Sequence, residues 1–163
     1  MTSTSNESTA SAADTLTFVD TNVLIYAYDS SEAVKRPLAQ AALQELWATR
    51  QGVLSTQILQ EFYSVATSKL KLAMSPADAR EIVQLYSAWN VVLIEPSLIL
   101  TASQLHEEHQ LSFWDALVVE AARAAGADRL LTEDLTDGQE IEGVRIVNPF
   151  LAAGAGNSQV SDG

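Results

Sequence analysis

Five short apolar segments, at 16–19, 53–55, 91–94, 129–132 and 144–147, are separated by longer stretches with helical periodicity. That alternation limits the fold more than any other feature of the chain. Short apolar runs lacking in–out alternation are buried on both faces, and strands joined through helices run parallel. The expected architecture is α/β, a three-layer α/β/α sandwich around a mostly parallel central sheet. Residues 22–28 read as a short helix, broken by Asp29-Ser30-Ser31. Ser30 or Ser31 is the expected cap of a long helix reaching about Arg50, with Pro37 near its start and Gly52 as its stop. Residues 56–69 form the next helix, with Ile58, Leu59, Phe62, Val65 and Ala66 on its buried side. Ser75-Pro76-Ala77-Asp78 supplies a cap, a first-turn proline and a third-position acid for a helix running to about Trp89. Glu95-Pro96-Ser97 leads into a helix ending near His109, and Ser112-Phe113-Trp114-Asp115 opens one that Gly126 closes. Residues 133–143 read as an acidic loop in which Gly138 and Gly143 are turn residues.

With 163 residues, of which 47% are hydrophobic, the chain can build one domain with a sizeable core, assigned to 15–151. Residues 1–14 and 152–163 are rich in Ser, Gly and Ala and read as flexible tails. The first of them carries neither basic residues nor an apolar stretch, so it reads as no secretory or transit signal. No apolar run approaches the roughly 18 residues that crossing a membrane requires. Cysteine is absent, which excludes disulfides and thiolate metal sites and fits a cytoplasmic protein. The net charge of −12, from 21 acids against 9 bases, argues against coating of nucleic acid, because a polyanion is repelled at long range. Action on nucleic acid then needs divalent cations in an acidic pocket; a basic protein partner is the other use of such charge.

Four carboxylates stand at matching places. Asp20 follows the first strand, and Glu61 lies in the early turns of the helix after the second. Asp115 falls in the first turn of its helix, and Asp134 comes two residues after the fourth strand. Strand C-termini and the helix N-termini fed by them gather on one edge of a parallel sheet, so all four can converge. Each also has an ordinary reading. Asp20-Thr21-Asn22 makes a good turn and helix cap, Glu61 suits a solvated helix face, Asp115 completes a Ser-x-x-acid capping box with Ser112, and Asp134 lies in a turn. Convergent carboxylates raise one another's pKa unless a cation relieves them. Oxygen-only ligands favour Mg²⁺ or Mn²⁺.

The segments Phe18-Val19-Asp20-Thr21-Asn22-Val23-Leu24, Ser55-Thr56-Gln57-Ile58-Leu59-Gln60-Glu61-Phe62-Tyr63, Ser112-Phe113-Trp114-Asp115-Ala116-Leu117 and Leu130-Leu131-Thr132-Glu133-Asp134-Leu135 resemble, in order, those of PIN-domain ribonucleases of the VapC toxin type. The ending Gly143-Val144-Arg145-Ile146-Val147-Asn148-Pro149-Phe150 is similar as well, and the likeness covers roughly 16–151. The resemblance implies a Mg²⁺- or Mn²⁺-dependent endoribonuclease in which a bound metal activates water against a phosphodiester. It assigns Asp20, Glu61, Asp115 and Asp134 to the acidic cluster, with Thr21 or Asn22, Thr132 and Asp137 in support. A small antitoxin protein and a second copy of the chain are the partners it implies, beside the RNA substrate. A catalytically silent PIN-like domain that binds RNA or protein is the alternative. A metal-dependent phosphatase is disfavoured because the first strand lacks an Asp-x-Asp pair.

Other residues draw weaker readings. Lys69 and Lys71 are candidate phosphate contacts or a basic helix end complementing the dipole, and Glu133 adds charge or points to solvent. His106 and His109 are three apart, which does not match the His-Glu-x-x-His zinc spacing, and read as a solvated helix end. Phe113 and Trp114 read as core or a dimer contact, with base stacking as the alternative.

Overall fold

The computed structural model describes residues 15–71 and 73–151, so both predicted tails lie outside the described residues. The strands are β1 (Thr17–Val19), β2 (Gly52–Ser55), β3 (Asn90–Val92), β4 (Arg129–Leu131), β5 (Glu140–Ile141) and β6 (Val144–Val147). The helices are α1 (Thr21–Tyr28), α2 (Lys35–Thr49), α3 (Thr56–Ser68), α4 (Pro76–Tyr86), α5 (Pro96–His109) and α6 (Phe113–Ala124). One six-stranded sheet runs in the order β3-β2-β1-β4-β6-β5, parallel except for β5 against β6.

The chain steps from β1 to β2 to β3 in one direction, then returns past β1 to place β4 on the other side. Right-handed crossovers therefore put α1–α4 on one face and α5–α6 on the other. In agreement, α1 packs on α2 and α3, α3 on α4, and α5 on α6. Phe18, Leu24, Val53, Leu54, Ile58, Phe62, Leu130 and Ile146 are fully buried between the layers. The expected α/β/α sandwich is the observed one. Among the described residues, no helix is long and apolar enough to cross a membrane.

The differences from expectation have local causes. The cap of α2 is Val34, without a side-chain bond; Ser31 instead donates through its hydroxyl to Asp29 Oδ1 (2.6 Å), closing the preceding turn. That helix ends at Arg50 in the left-handed conformation (φ 58°), and Gly52 opens β2 rather than stopping the helix. Glycine is needed at 52 for a different reason: a Cβ there would meet the Trp89 ring at 2.4 Å. Trp89 stacks edge-on with Tyr86 (5.0 Å) and Trp47 (5.3 Å), so this cluster closes directly over the β2 backbone. α4 stops at Tyr86, short of Trp89, where Ser87 turns its hydroxyl back to Val83 O (2.6 Å). The predicted 133–143 loop contains β5, joined to β6 through Glu142 (φ 51°) and Gly143 (φ 80°). Positive φ at both residues suits the twist of a two-residue hairpin, and two residues of strand are too few to leave a periodic signal. Trp114 is 62% exposed and is not core.

Candidate functional site

The strand order reverses between β1 and β4, and in an open parallel sheet that reversal leaves a crevice beyond the strand ends. There the backbone amide of Asp20 donates to Leu131 O (3.0 Å), holding the two strand ends together. Asp20 is the N-cap of α1, with extended backbone, and its Oδ1 accepts the Thr21 amide (2.7 Å). The capping reading of Asp20 is therefore correct, and it leaves the second oxygen for other partners. Oδ2 accepts from Thr132 Oγ1 (2.8 Å) and from Asn22 Nδ2 (3.4 Å).

Asn22 and Thr132 tie this acid to the next. Asn22 Nδ2 also donates to Asp134 Oδ2 (3.0 Å) and to Thr132 Oγ1 (3.2 Å). Thr132 Oγ1 in turn accepts the Asp134 amide (3.1 Å), which fixes the chain as it leaves β4. Thr132 is fully buried, whereas Asp134 is exposed at the mouth of the crevice.

Glu61 arrives from α3, whose start is set by Ser55 capping the Ile58 amide (3.4 Å). Thr21 Oγ1 donates to Glu61 Oε2 (2.6 Å), and Gln57 Nε2 donates to Glu61 Oε1 (2.9 Å). Gln57 is buried, and its Oε1 has no hydrogen-bond partner among the described residues. An orphaned buried acceptor beside a half-buried carboxylate is a place for a water or for the hydration shell of an ion.

Asp115 arrives from the opposite face, in the first turn of α6, where Ser112 Oγ accepts its amide (3.1 Å). Among the described residues no hydrogen bond links it to the other three acids; its connection to Asp134 and Glu61 is electrostatic. Burial raises the Asp115 carboxyl above its ordinary range, a hydrogen bond with Ser112 opposes this, and the charges of Asp134 and Glu61 add to the rise. Burial likewise pushes Asp20 up to about 7, against the hydrogen bonds from Thr132 and the Thr21 backbone, with Asp134 and Glu61 again adding repulsion. All four acids thus bear on one crevice. Asp20 is also the cap of α1 and Asp115 lies in the Ser112-capped first turn of α6, whereas Glu61 is held by Thr21 and Gln57 and is not a solvated helix-face residue.

The donor set is oxygen only, which suits Mg²⁺ or Mn²⁺ and not a soft metal. The carboxylates do not close into a tight cage. Among the described residues, the group of His and acids with ligand atoms all within 4.8 Å of one another is Glu108, His109 and Glu142, on the exposed surface. No three of the four crevice acids bring their carboxylate oxygens within that distance of one another. His109 is thus more than a solvated helix end: its Nε2 lies 3.0 Å from Glu142 Oε1, a partner 33 residues away that spacing along α5 does not reveal. His106 is turned to the Leu111 carbonyl.

The remaining residues divide clearly. Asp137 is engaged elsewhere, its Oδ1 accepting the Asn148 amide (2.8 Å). Lys69 and Lys71 are exposed at the far end of α3, with Lys69 about 12 Å along the axis from Glu61. Glu133 does not point to solvent: Lys35 Nζ donates to its Oε2 (2.9 Å), and the Tyr26 hydroxyl donates to its Oε1. Lys35 stands in no motif, and Gln57, although inside the 55–63 segment, has no local signal of its bond to Glu61. Only the fold brings Lys35 across 98 residues to the loop that carries Asp134.

The family model described as the PIN domain matches residues 17–136. Among solved structures, the chain is similar to one from a toxin–antitoxin complex of Klebsiella pneumoniae, with 24% identity, a TM-score of 0.62, and coverage of 82% of this chain and 98% of that one. It is also similar to Mycobacterium tuberculosis VapC20, described as a Sarcin-Ricin loop cleaving toxin, with 22% identity, a TM-score of 0.56, and coverage of 85% and 95%. DNA-bound VapBC from Salmonella typhimurium gives 16% identity, a TM-score of 0.60, and coverage of 83% and 98%. No curated protein matches the chain in sequence.

Proposed function

Because the chain belongs to the PIN domain family, we propose that it is a Mg²⁺- or Mn²⁺-dependent endoribonuclease, the toxin of a toxin–antitoxin pair. The observation that carries this reading is the arrival of Asp20, Glu61, Asp115 and Asp134, from four separate elements, at the β1/β4 crevice. Asp20 and Asp115 are the acids most in need of a cation, since burial and neighbouring charge both oppose their ionisation without one. Thr132 and Asn22 orient Asp20 and Asp134, while Thr21 and Gln57 hold both oxygens of Glu61, so these three carboxylates are oriented before anything binds. A divalent cation held there supplies positive charge against the phosphodiester oxygens and makes a water easier to deprotonate. The orphaned Gln57 Oε1 is an acceptor able to orient such a water.

The partners follow from the same reading. Relatives of this fold were solved as a toxin–antitoxin complex and as VapBC on DNA, which supports a small antitoxin protein as the regulator. A net charge of −12 suits a partner that brings basic residues. Pairing with a second copy is supported by apolar side chains left exposed at Leu93, Leu100 and Trp114. The open spacing of the acids favours one rival, a PIN domain that binds RNA or protein without cutting it.

Purified protein incubated with total RNA tests the two readings. Cleavage is expected with Mg²⁺ or Mn²⁺, lost on chelation with EDTA and regained when the metal is restored. Binding of RNA without new ends at any metal concentration would select the silent domain instead.

A further inference from the structure

We propose that Lys35 and Tyr26 form a clamp that positions Asp134 by gripping the side chain of its neighbour Glu133. The proposal rests on the reading of Asp134 as a metal-holding acid. The clamp joins three elements distant in sequence. Lys35, the first residue of α2, donates to Glu133 Oε2 (2.9 Å) and to the Tyr26 hydroxyl (3.3 Å). Tyr26, on α1, donates through that hydroxyl to the other Glu133 oxygen. Each carboxylate oxygen of Glu133 is therefore engaged by the clamp.

The surroundings favour a fixed geometry over a loose surface pair. The Lys35 ammonium lies 4.6 Å from the centre of the Tyr26 ring and 5.7 Å from that of Phe150. Those rings meet edge-on at 5.2 Å. The side chains of Lys35 and Glu133 are only 35% and 21% exposed, so the pair is screened less than an exposed one.

Lysine at a helix N-terminus is otherwise misplaced, since the positive end of the dipole repels it and α2 has no side-chain cap. Glu133 compensates for that placement, and a local rule broken with a compensating partner marks a position kept for another reason. The reason is the peptide that follows. The Glu133 amide donates to Asn22 Oδ1 (3.4 Å), and the Asp134 amide to Thr132 Oγ1 (3.1 Å). With the Glu133 side chain held from behind, the exposed Asp134 carboxylate is left facing the Asn22 amide that it shares with Asp20. Lys35 and Tyr26 are thus positioning residues that touch no reacting atom.

Electrostatics and positioning predict opposite signs, which makes the clamp testable. Removing the Lys35 cation strengthens the field that attracts Mn²⁺; loosening the Asp134 loop weakens Mn²⁺ binding. The experiment is calorimetric titration of Mn²⁺ into the full chain and into Lys35→Met, Tyr26→Phe and Lys35→Arg. Every protein also carries His109→Ala to silence the surface Glu108–His109–Glu142 group, and thermal melts accompany each. Mn²⁺ is expected to bind about tenfold more weakly to Lys35→Met and Tyr26→Phe, the range for groups that orient metal ligands, with Lys35→Arg restoring affinity. Equal or tighter binding by folded Lys35→Met, with Tyr26→Phe unchanged, would overturn the clamp while leaving the metal site standing. Absence of Mn²⁺ binding to the protein with Lys35 and Tyr26 intact would overturn the reading of the site, and the clamp with it.

Discussion

Asp20→Asn is expected to reduce RNA cleavage by on the order of 100- to 1000-fold while leaving the fold intact. The reduction follows from removing the deepest carboxylate of the crevice, 6% exposed, where water cannot replace the lost charge. The fold survives because Asn caps a helix as well as Asp does, so the bond to the Thr21 amide remains available. With the single amide oxygen kept for Thr21, the Nδ2 that replaces Asp20 Oδ2 faces Thr132 Oγ1, 2.8 Å from that position, and the hydroxyl oxygen can accept from it. Single-turnover cleavage at saturating Mn²⁺, with circular dichroism of both proteins, checks the result. Rates within threefold of the unsubstituted protein would remove Asp20 from the chemistry.

The metal-free protein is expected to lose stability as the pH rises from about 4 to about 7, and Mn²⁺ is expected to restore it. The sign follows from Asp20. Its folded pKa stands at about 7 against an ordinary 3.8, so between those values the folded state binds a proton that the unfolded state has released. Stability from this carboxyl is fully present below pH 3.8, falls across the interval, and is gone above pH 7. The raised pKa converts to an upper bound on the order of 4 kcal/mol. Burial of Asp115 acts in the same direction. Denaturant titrations at pH 4 to 8, with EDTA, measure the slope. Subtracting the same series for Asp20→Asn isolates this group. A metal-free stability that rises between pH 4 and 7 in the unsubstituted protein, relative to Asp20→Asn, would contradict the account.

The sheet was readable because its strands are short, apolar and evenly spaced between helices. The five strands that pair in parallel, β1, β2, β3, β4 and β6, each leave a short apolar run such as Val53-Leu54 or Leu130-Leu131. β5 was not readable: Glu140 and Ile141 gain strand identity only by pairing back on β6 across a tight turn. Helix starts followed local chemistry where a side chain caps, as at Ser75 and Ser112, and failed at Val34, where packing alone sets the boundary. Gly52 looked like a helix stop because the approach of Trp89 from 37 residues downstream has no local trace.

The convergence of the four candidate acids was legible for a similar reason. Asp20, Glu61, Asp115 and Asp134 occupy places that a parallel sheet forces to one edge. Their supporting contacts divide by distance in the chain. Thr21, Asn22 and Thr132 lie within two residues of Asp20 or Asp134 and were within reach, although the bond from Thr21 to Glu61 spans 40 residues. Lys35 and Gln57 act through geometry that exists only after folding. The surface group at Glu142 became visible only once the β5–β6 turn was placed beside the end of α5.

On the proposed reading, four carboxylates from separate elements hold one divalent centre at the β1/β4 crevice. Crystals soaked in Mn²⁺ and measured for anomalous scattering test it most directly. The account predicts an anomalous peak among Asp20, Glu61, Asp115 and Asp134, absent from Asp20→Asn crystals. A peak confined to Glu108, His109 and Glu142, with none in the crevice, would contradict it.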